Sequence, residues 1–187
     1  RKRLSPQGDR GFESHLLRST MTQTIILPGY SLKNKDWAES VAKELGSVFV
    51  HHWSHWTSEE KPPDWIDVEI EKIKGEIDGK QVNLITKSLG TYFAVRLVKE
   101  TPSMCQKLIL CAIPLNDLSN KEKAEYQAVG QIPAENVLVI QNETDSHGTY
   151  AEVEPFVHMI NPQITVVSKP RDDHEYPYPE DFKDFLT

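Results

Sequence analysis

Val82-Asn83-Leu84-Ile85-Thr86-Lys87-Ser88-Leu89-Gly90 is the stretch on which the reading of the fold turns. Its apolar first half, Val82-Asn83-Leu84-Ile85, reads as a buried strand, and residues 92–99 read as a helix. Ser88 falls between the two, with Gly90 two places after it. A strand that passes directly into a helix turns so sharply that the residue at the bend is forced to positive φ, with its side chain thrust out at the end of the sheet. This is the pattern of a nucleophile elbow. The positions on either side then face the neighbouring strand and helix at close range. Gly90 suits its place; Thr86, β-branched where glycine is usual, suits its place less well. Ser-x-Gly is common and an ordinary βα turn carries the same residues, so the decision rests on the remainder of the chain.

Working outward, strand-like and helix-like patterns alternate from Thr22 onward. Thr24-Ile25-Ile26-Leu27 stops at the turn signal Pro28-Gly29. Trp37, Val41 and Leu45 share one helical face, with Gly46 placed as the C-terminal cap, and Val48-Phe49-Val50 is the second strand. Pro62 and Pro63 open a helix whose apolar stripe is Ile66, Ile70, Ile73 and Ile77. Beyond the Ser88 helix, Lys107-Leu108-Ile109-Leu110-Cys111, Val137-Leu138-Val139-Ile140 and Ile164-Thr165-Val166-Val167 read as strands. Helical stretches at 121–128 and 153–160 separate them, and 180–186 closes the chain as a helix. The strands are continuously apolar rather than alternating, which calls for a parallel sheet covered on both faces. The expected fold is therefore α/β, a three-layer α/β/α sandwich around a mostly parallel sheet of about six strands. No repeat or linker divides residues 21–187, which read as one domain. With strand one between strands two and three, the crevice where the winding reverses lies between the loop after Leu27 and the loop carrying Ser88.

The basic start of the chain stands apart. Its first 20 residues hold Arg1, Lys2, Arg3, Arg10 and Arg18 but no apolar core, so they do not make a secretory signal. Gly11-Phe12-Glu13-Ser14 translates back to GGN-TTC-GAA-TCN, and GGTTCGAATC is the consensus T-arm of a transfer-RNA gene. Met21 follows Ser19-Thr20 just ahead of the first strand. Residues 1–20 are thus read as a disordered, non-native extension from a mis-assigned start, to be checked by N-terminal sequencing of the native protein. Without its five basic and two acidic residues, 16 basic and 26 acidic remain, a net charge of −10 against −7 for all 187 residues. So acidic a body is a poor match for a phosphate backbone, and no nucleic-acid partner is expected. No apolar stretch approaches the roughly 20 residues needed to span a bilayer. Cys105 and Cys111 form neither a CxxC pair nor a secreted disulfide framework, which points to a reducing, cytoplasmic setting.

A serine hydroxyl becomes a nucleophile only beside a base that is itself oriented by a third group. Of the seven histidines, His174 alone lies in the loop directly after the last strand, which emerges at the same sheet edge as Ser88. The segment after the preceding strand, Gln141-Asn142-Glu143-Thr144-Asp145, offers two carboxylates, Glu143 and Asp145. Asp145 has the better spacing from the strand end. Taken singly, Asp145 is equally a turn residue and His174 a polar loop residue; it is the joint order of serine, acid and histidine that counts.

In that order and strand context the chain resembles the α/β-hydrolase superfamily, from Thr24 to the C-terminus. It looks most like the small, lid-poor serine hydrolases, including the retinoblastoma-binding group. The resemblance implies Ser88 as nucleophile, His174 as general base and then acid, and Asp145 as the group that fixes the His174 tautomer. Acyl transfer also needs donors for the developing oxyanion. The Leu89 N–H, at a helix start, is one candidate. Pro28 has no N–H, so Tyr30 in the turn Pro28-Gly29-Tyr30-Ser31 is the other, although that turn also reads as a tight turn alone. Lys87, where relatives often carry histidine or an acid, reads as an exposed surface lysine.

The most unusual composition is Val50-His51-His52-Trp53-Ser54-His55-Trp56. Its spacing matches no zinc signature, and no metal or cofactor is expected. Trp53 and Trp56 either pack near the end of strand two or wall an apolar acyl pocket. Tyr176 and Tyr178 beside His174 invite the same pocket reading, or form with Pro177 and Pro179 a rigid segment anchoring the loop. Between Cys111 and Val137 there is room for a short helix but not for a cap domain, so the site is expected to be open with Pro114 as one wall. The expected activity is hydrolysis of a small carboxylic ester, thioester or amide through an acyl-enzyme. The alternative is a non-catalytic protein of the same fold that binds a protein partner or small ligand. A nucleotide-binding domain is disfavoured, since neither GxGxxG nor GxxxxGK[ST] is present.

Overall fold

A computed structural model describes residues 22–58 and 61–187; the non-native extension read at 1–20 and the start at Met21 lie outside them. Six strands form one sheet: β1 (Gln23–Leu27), β2 (Val48–Val50), β3 (Val82–Lys87), β4 (Cys105–Cys111), β5 (Val137–Asn142) and β6 (Thr165–Lys169). Their order is β2-β1-β3-β4-β5-β6 and each neighbouring pair is parallel. The helices are α1 (Lys33–Leu45), α2 (Trp65–Ile77), α3 (Leu89–Glu100), α4 (Asn120–Glu125), α5 (Tyr150–Ile160) and α6 (Pro179–Leu186).

Side chains alternate across the sheet, and both faces are apolar because both are covered. Leu27, Leu84, Leu110 and Val139 join the core that holds Ile73 of α2, Phe93 of α3 and Val153 of α5. Ile26, Ile85, Ile109 and Ile140 join the core that holds Trp37 of α1 and Phe182 of α6. The three-layer sandwich is as the sequence predicts, and the sheet is wholly parallel. Because β1 sits between β2 and β3, the chain winds one way through α1 and the other way from β3 onward. The winding therefore reverses between the ends of β1 and β3.

Several element boundaries differ from the sequence reading for local reasons. The helix read at 92–99 begins at Leu89, because the Ser88 carbonyl already accepts the Thr91 N–H at 2.9 Å. The helix read at 153–160 begins at Tyr150 under a capping box between Thr149 and Glu152. The one read at 121–128 is shorter. It starts at Asn120 under a Ser119–Glu122 capping box and tightens into the 3-10 turn Tyr126–Gln131. Pro62 and Pro63 precede α2 without opening it. Gly46 caps α1 at φ 87°, donating its N–H to the Ala42 carbonyl. Cys105 and Cys111 are both free and buried, and burial pushes the Cys105 thiol up to about 12. Among the described residues no helix is long and apolar enough to cross a membrane.

α3 crosses close over the end of β1 at Gly90. A Cβ on Gly90 would stand 1.9 Å from the Leu27 carbonyl oxygen and 2.8 Å from that of Pro28. Both obstacles are backbone, so neither rotates away. Gly90→Ala is expected to destabilise the fold by about 3 kcal/mol or more, read as a lowered urea midpoint at unchanged slope.

Candidate active site

Ser88 lies at φ 53° and ψ −121°, a conformation that side-chain-bearing residues rarely adopt. It is held there from both sides: its N–H donates to the Cys111 carbonyl at 2.9 Å, and its carbonyl accepts the Thr91 hydroxyl at 2.7 Å. Thr86 is accommodated at the glycine-like position because its hydroxyl donates to the Ile109 carbonyl at 2.8 Å. The strained turn delivers Ser88 into a cleft of about 410 Å³, shared with Tyr30, Asn34, Leu89, Pro114, His147 and His174.

His174 comes to the cleft from the loop after β6. Its Nδ1 donates to Asp145 Oδ2 at 2.7 Å, which leaves Nε2 as the ring nitrogen not engaged by the carboxylate. Asp145, fully buried, also accepts the His147 N–H at 2.9 Å and the Tyr176 hydroxyl at 2.7 Å. Burial works against its charge, but the bonds from His174, the His147 N–H and Tyr176 outweigh that and hold its carboxyl below the usual aspartate range. Of the two carboxylates offered by the sequence, Asp145 meets His174, whereas Glu143 is exposed beside Ser168. Ser88, Asp145 and His174 are thus brought to one site. Among the described residues Ser88 Oγ makes no hydrogen bond to His174.

Tyr30 and Leu89 both line the cleft, and neither N–H has a hydrogen-bond partner among the described residues. Pro114 also lines the cleft. Three of the proposed substrate contacts lie outside the cleft lining. Trp53 is buried under the β1 loop, its ring 4.4 Å from that of Phe93, because its indole N–H is satisfied by the carbonyls of Pro28 and Gly29. Tyr176 is buried behind the cleft, where its hydroxyl accepts the Asn142 N–H at 3.0 Å while donating to Asp145. Trp56 is half-buried outside the cleft, donating to the Tyr30 carbonyl at 2.8 Å. The anchoring reading of residues 176–179 is the one the contacts support.

Lys87 is also not where the sequence placed it. It is 2% exposed, with Nζ 2.7 Å from Asn34 Oδ1 and 3.5 Å from Glu175. Burial pushes its ammonium below the usual lysine range, against the pull of Glu175. Asn142, the last residue of β5, had no sequence signal beyond its place. Its amide donates to the carbonyls of Asp173 and Glu175, 2.8 and 2.9 Å away, and so grips the chain on both sides of His174. His147, another residue that spacing alone does not mark, lies against the His174 ring at 4.3 Å and bonds Asp117 at 2.6 Å.

The three histidines of residues 51–55 part ways. His51 sits between Glu69 and Glu76, His52 lies near Glu39, and His55 meets the Tyr30 carbonyl. Among the described residues no group of three or more His, Cys, Asp or Glu side chains is placed to hold a metal ion.

No protein-family model matches this chain, and no curated protein matches it by sequence. Solved structures do match. A serine hydrolase without a lid from Xanthomonas campestris superposes with a TM-score of 0.60 at 19% identity, over 88% of this chain and 78% of that one. A serine hydrolase homologue from Coxiella burnetii gives 0.56 at 15% identity, over 88% and 83%. An α/β hydrolase from the sediment metagenome of the Mar Chica lagoon, Morocco, gives 0.55 at 15% identity, over 88% of each chain. At such identities the likeness establishes architecture: the chain adopts the α/β-hydrolase fold.

The strained turn and the buried carboxylate each carry a consequence for stability. Ser88→Gly relieves the strained turn and is expected to raise stability by about 1 kcal/mol or more, measured by urea unfolding. Because the Asp145 carboxyl is depressed in the folded state, its stabilisation is complete above the ordinary aspartate value of about 3.9 and is lost as pH falls through the lower folded value. Asp145→Asn should therefore cost about 2 kcal/mol at neutral pH. That deficit should shrink below about pH 4, as read from melting curves over a pH series.

Proposed function

We propose that this protein is a serine hydrolase that cleaves a small carboxylic ester, thioester or amide through an acyl-enzyme. The observation that carries the reading is the strained Ser88 turn opening into the same cleft as a histidine whose Nδ1 is held by a buried aspartate. In this reading Ser88 Oγ attacks the carbonyl carbon as His174 Nε2 takes its proton. The resulting imidazolium is stabilised by Asp145 and returns the proton to the leaving group. Water then repeats the sequence on the acyl-enzyme. The oxyanion is received by the N–H groups of Tyr30 and Leu89, the second at the positive end of α3. Tyr30, 45% exposed, and the exposed Asp117 rim the cleft, which supports a compact substrate reached from solvent over a long chain in a closed tunnel. The buried, free thiols are in keeping with a reducing, cytoplasmic setting.

One observation favours a non-catalytic binding protein, namely the missing Ser88–His174 hydrogen bond. Such bonds often close only when substrate arrives, so the test is chemical. Residues 21–187 are treated with a fluorophosphonate and mapped by mass. A single adduct on Ser88, absent in Ser88→Ala and slowed at least ~100-fold in His174→Ala, is the expected result. A folded, unlabelled protein, also unreactive toward a smaller phosphonate, would transfer the weight to the binding reading.

A further inference from the structure

Residues 51–56 have no part in the chemistry above, yet three of their side chains converge on one short piece of backbone. Trp53 Nε1 donates to the carbonyls of Pro28 and Gly29, each at 3.2 Å. The Tyr30 carbonyl receives His55 Nε2 at 2.7 Å and Trp56 Nε1 at 2.8 Å. Three consecutive carbonyls of the β1 loop are therefore captured by one turn of 3-10 helix, Ser54–Trp56, and the residue before it.

In a trans peptide the N–H points opposite to the carbonyl of the same unit. Capturing the Gly29 carbonyl thus turns the Tyr30 N–H the other way, and capturing the Tyr30 carbonyl does the same for Ser31. Tyr30 and Ser31 are the loop residues that line the Ser88 cleft. The side chains doing this are themselves fixed. His51 is buried between Glu69 and Glu76 of α2, at 3.0 and 2.8 Å, and Glu69 also accepts the Ser54 N–H at 3.2 Å. The His55 ring stacks on the Tyr30 ring at 4.3 Å, and the Trp53 ring rests on Phe93 of α3.

We infer that residues 51–56 form a positioning brace, anchored on α2, which aims the Tyr30 N–H at the oxyanion formed on Ser88. The inference rests on the serine hydrolase reading and deepens it: one oxyanion donor is set by the side chains of a neighbouring loop, and the other, Leu89, by the start of α3. His55 acts as a donor through Nε2 in its neutral form, and burial lowers its readiness to take a second proton. The brace residues touch neither substrate nor reacting atoms; they act through the Tyr30 peptide.

The test uses residues 21–187 with Trp53→Phe, Trp56→Phe and a His55→Phe/Trp56→Phe pair, which keep aromatic bulk while removing the donated hydrogen bonds. Ser88→Ala is the control. Two rates are read on folded protein: phosphonylation by the fluorophosphonate, and turnover of p-nitrophenyl acetate. Loss of a whole oxyanion donor costs about 100- to 1,000-fold in kcat; a donor left in place but loosened is expected to cost about 10- to 100-fold. KM should stay within about twofold, because the ground-state carbonyl does not use the donor fully. Phosphonylation should slow in parallel. If Ser88 labels normally in the three variants, or if KM rises while kcat holds, the brace is overturned and the hydrolase reading stands. If wild-type Ser88 does not label, the reading beneath falls and the inference with it. Trp56, half-buried, keeps the test open should Trp53→Phe fail to fold.

Discussion

The carbonyl of Leu27 lies where a side chain on residue 90 would have to begin, and much of the molecule follows from that proximity. With glycine there, α3 starts directly on the end of β1. The turn from β3 into α3 is then too tight for ordinary φ, and Ser88 is driven into its positive-φ conformation. The same contact sets the β1 loop, the Ser88 hydroxyl and the first N–H of α3 side by side at the point where the winding reverses. A less crowded junction would keep the sheet but not this alignment. Strain at Ser88 is sustained because its N–H and carbonyl are both tied, to β4 and to Thr91, so relaxing the bend would break bonds on two elements.

The second layer of organisation is polar. Asp145 is a carboxylate without solvent, and such a group is tolerable only with its lone pairs occupied. Its three donors come from its own turn, from His174 and from Tyr176, so satisfying the charge also fixes the histidine loop. Asn142 grips the same loop through the carbonyls flanking His174, and its own carbonyl accepts the Tyr178 hydroxyl at 2.7 Å. Gln141 extends the arrangement by accepting the Ile113 N–H at 2.9 Å, tying the Pro114 wall to the end of β5. On the opposite side, Lys87 links Asn34 of α1 to Glu175. The ends of β3 and β5 are thus both bound to the loop after β6 that carries His174.

The sequence made the architecture legible because continuous apolar strands and 3.6-residue stripes are local patterns. Ile70, Ile73 and Ile77 needed no tertiary information to be assigned inward, and they are buried. The order of Ser88, Asp145 and His174 was legible for a similar reason, since strand ends in a parallel sheet share one edge. What escaped depends on partners distant in the chain. Lys87 reads as surface because a lone lysine beside a polar turn ordinarily is, and its partner Asn34 is 53 residues away. For Trp53 and Tyr176 the sequence leaves packing and a pocket wall both open, because composition says nothing of where an indole N–H or a phenol finds its partner. Thr149 and Ser119 cap α5 and α4 with Glu152 and Glu122 three places on, a pattern local enough to be visible in the sequence.

A hydrolase with a cap domain can complete its site on closing, excluding water and strengthening the fields inside. In this chain the segment between β4 and β5 brings Pro114, Asp117, Leu118 and Glu122 of the short α4 to the cleft, and Tyr30 at the rim stays exposed. If the cleft performs acyl transfer, its stabilising dipoles must be correctly aimed before substrate arrives, because the segment between β4 and β5 is too short to form a cap that closes over them. The Leu89 N–H meets that demand by belonging to a helix whose start is locked by Gly90. A loop peptide such as Tyr30 has no such support of its own, and exposed loops are the mobile parts of a fold. Capturing its carbonyls from a neighbouring turn, itself anchored by buried His51 and Glu69, is a way to give a loop the rigidity of a helix end. On this argument the two unusual features, an open cleft and a dense cluster of tryptophan and histidine beside it, have one physical cause.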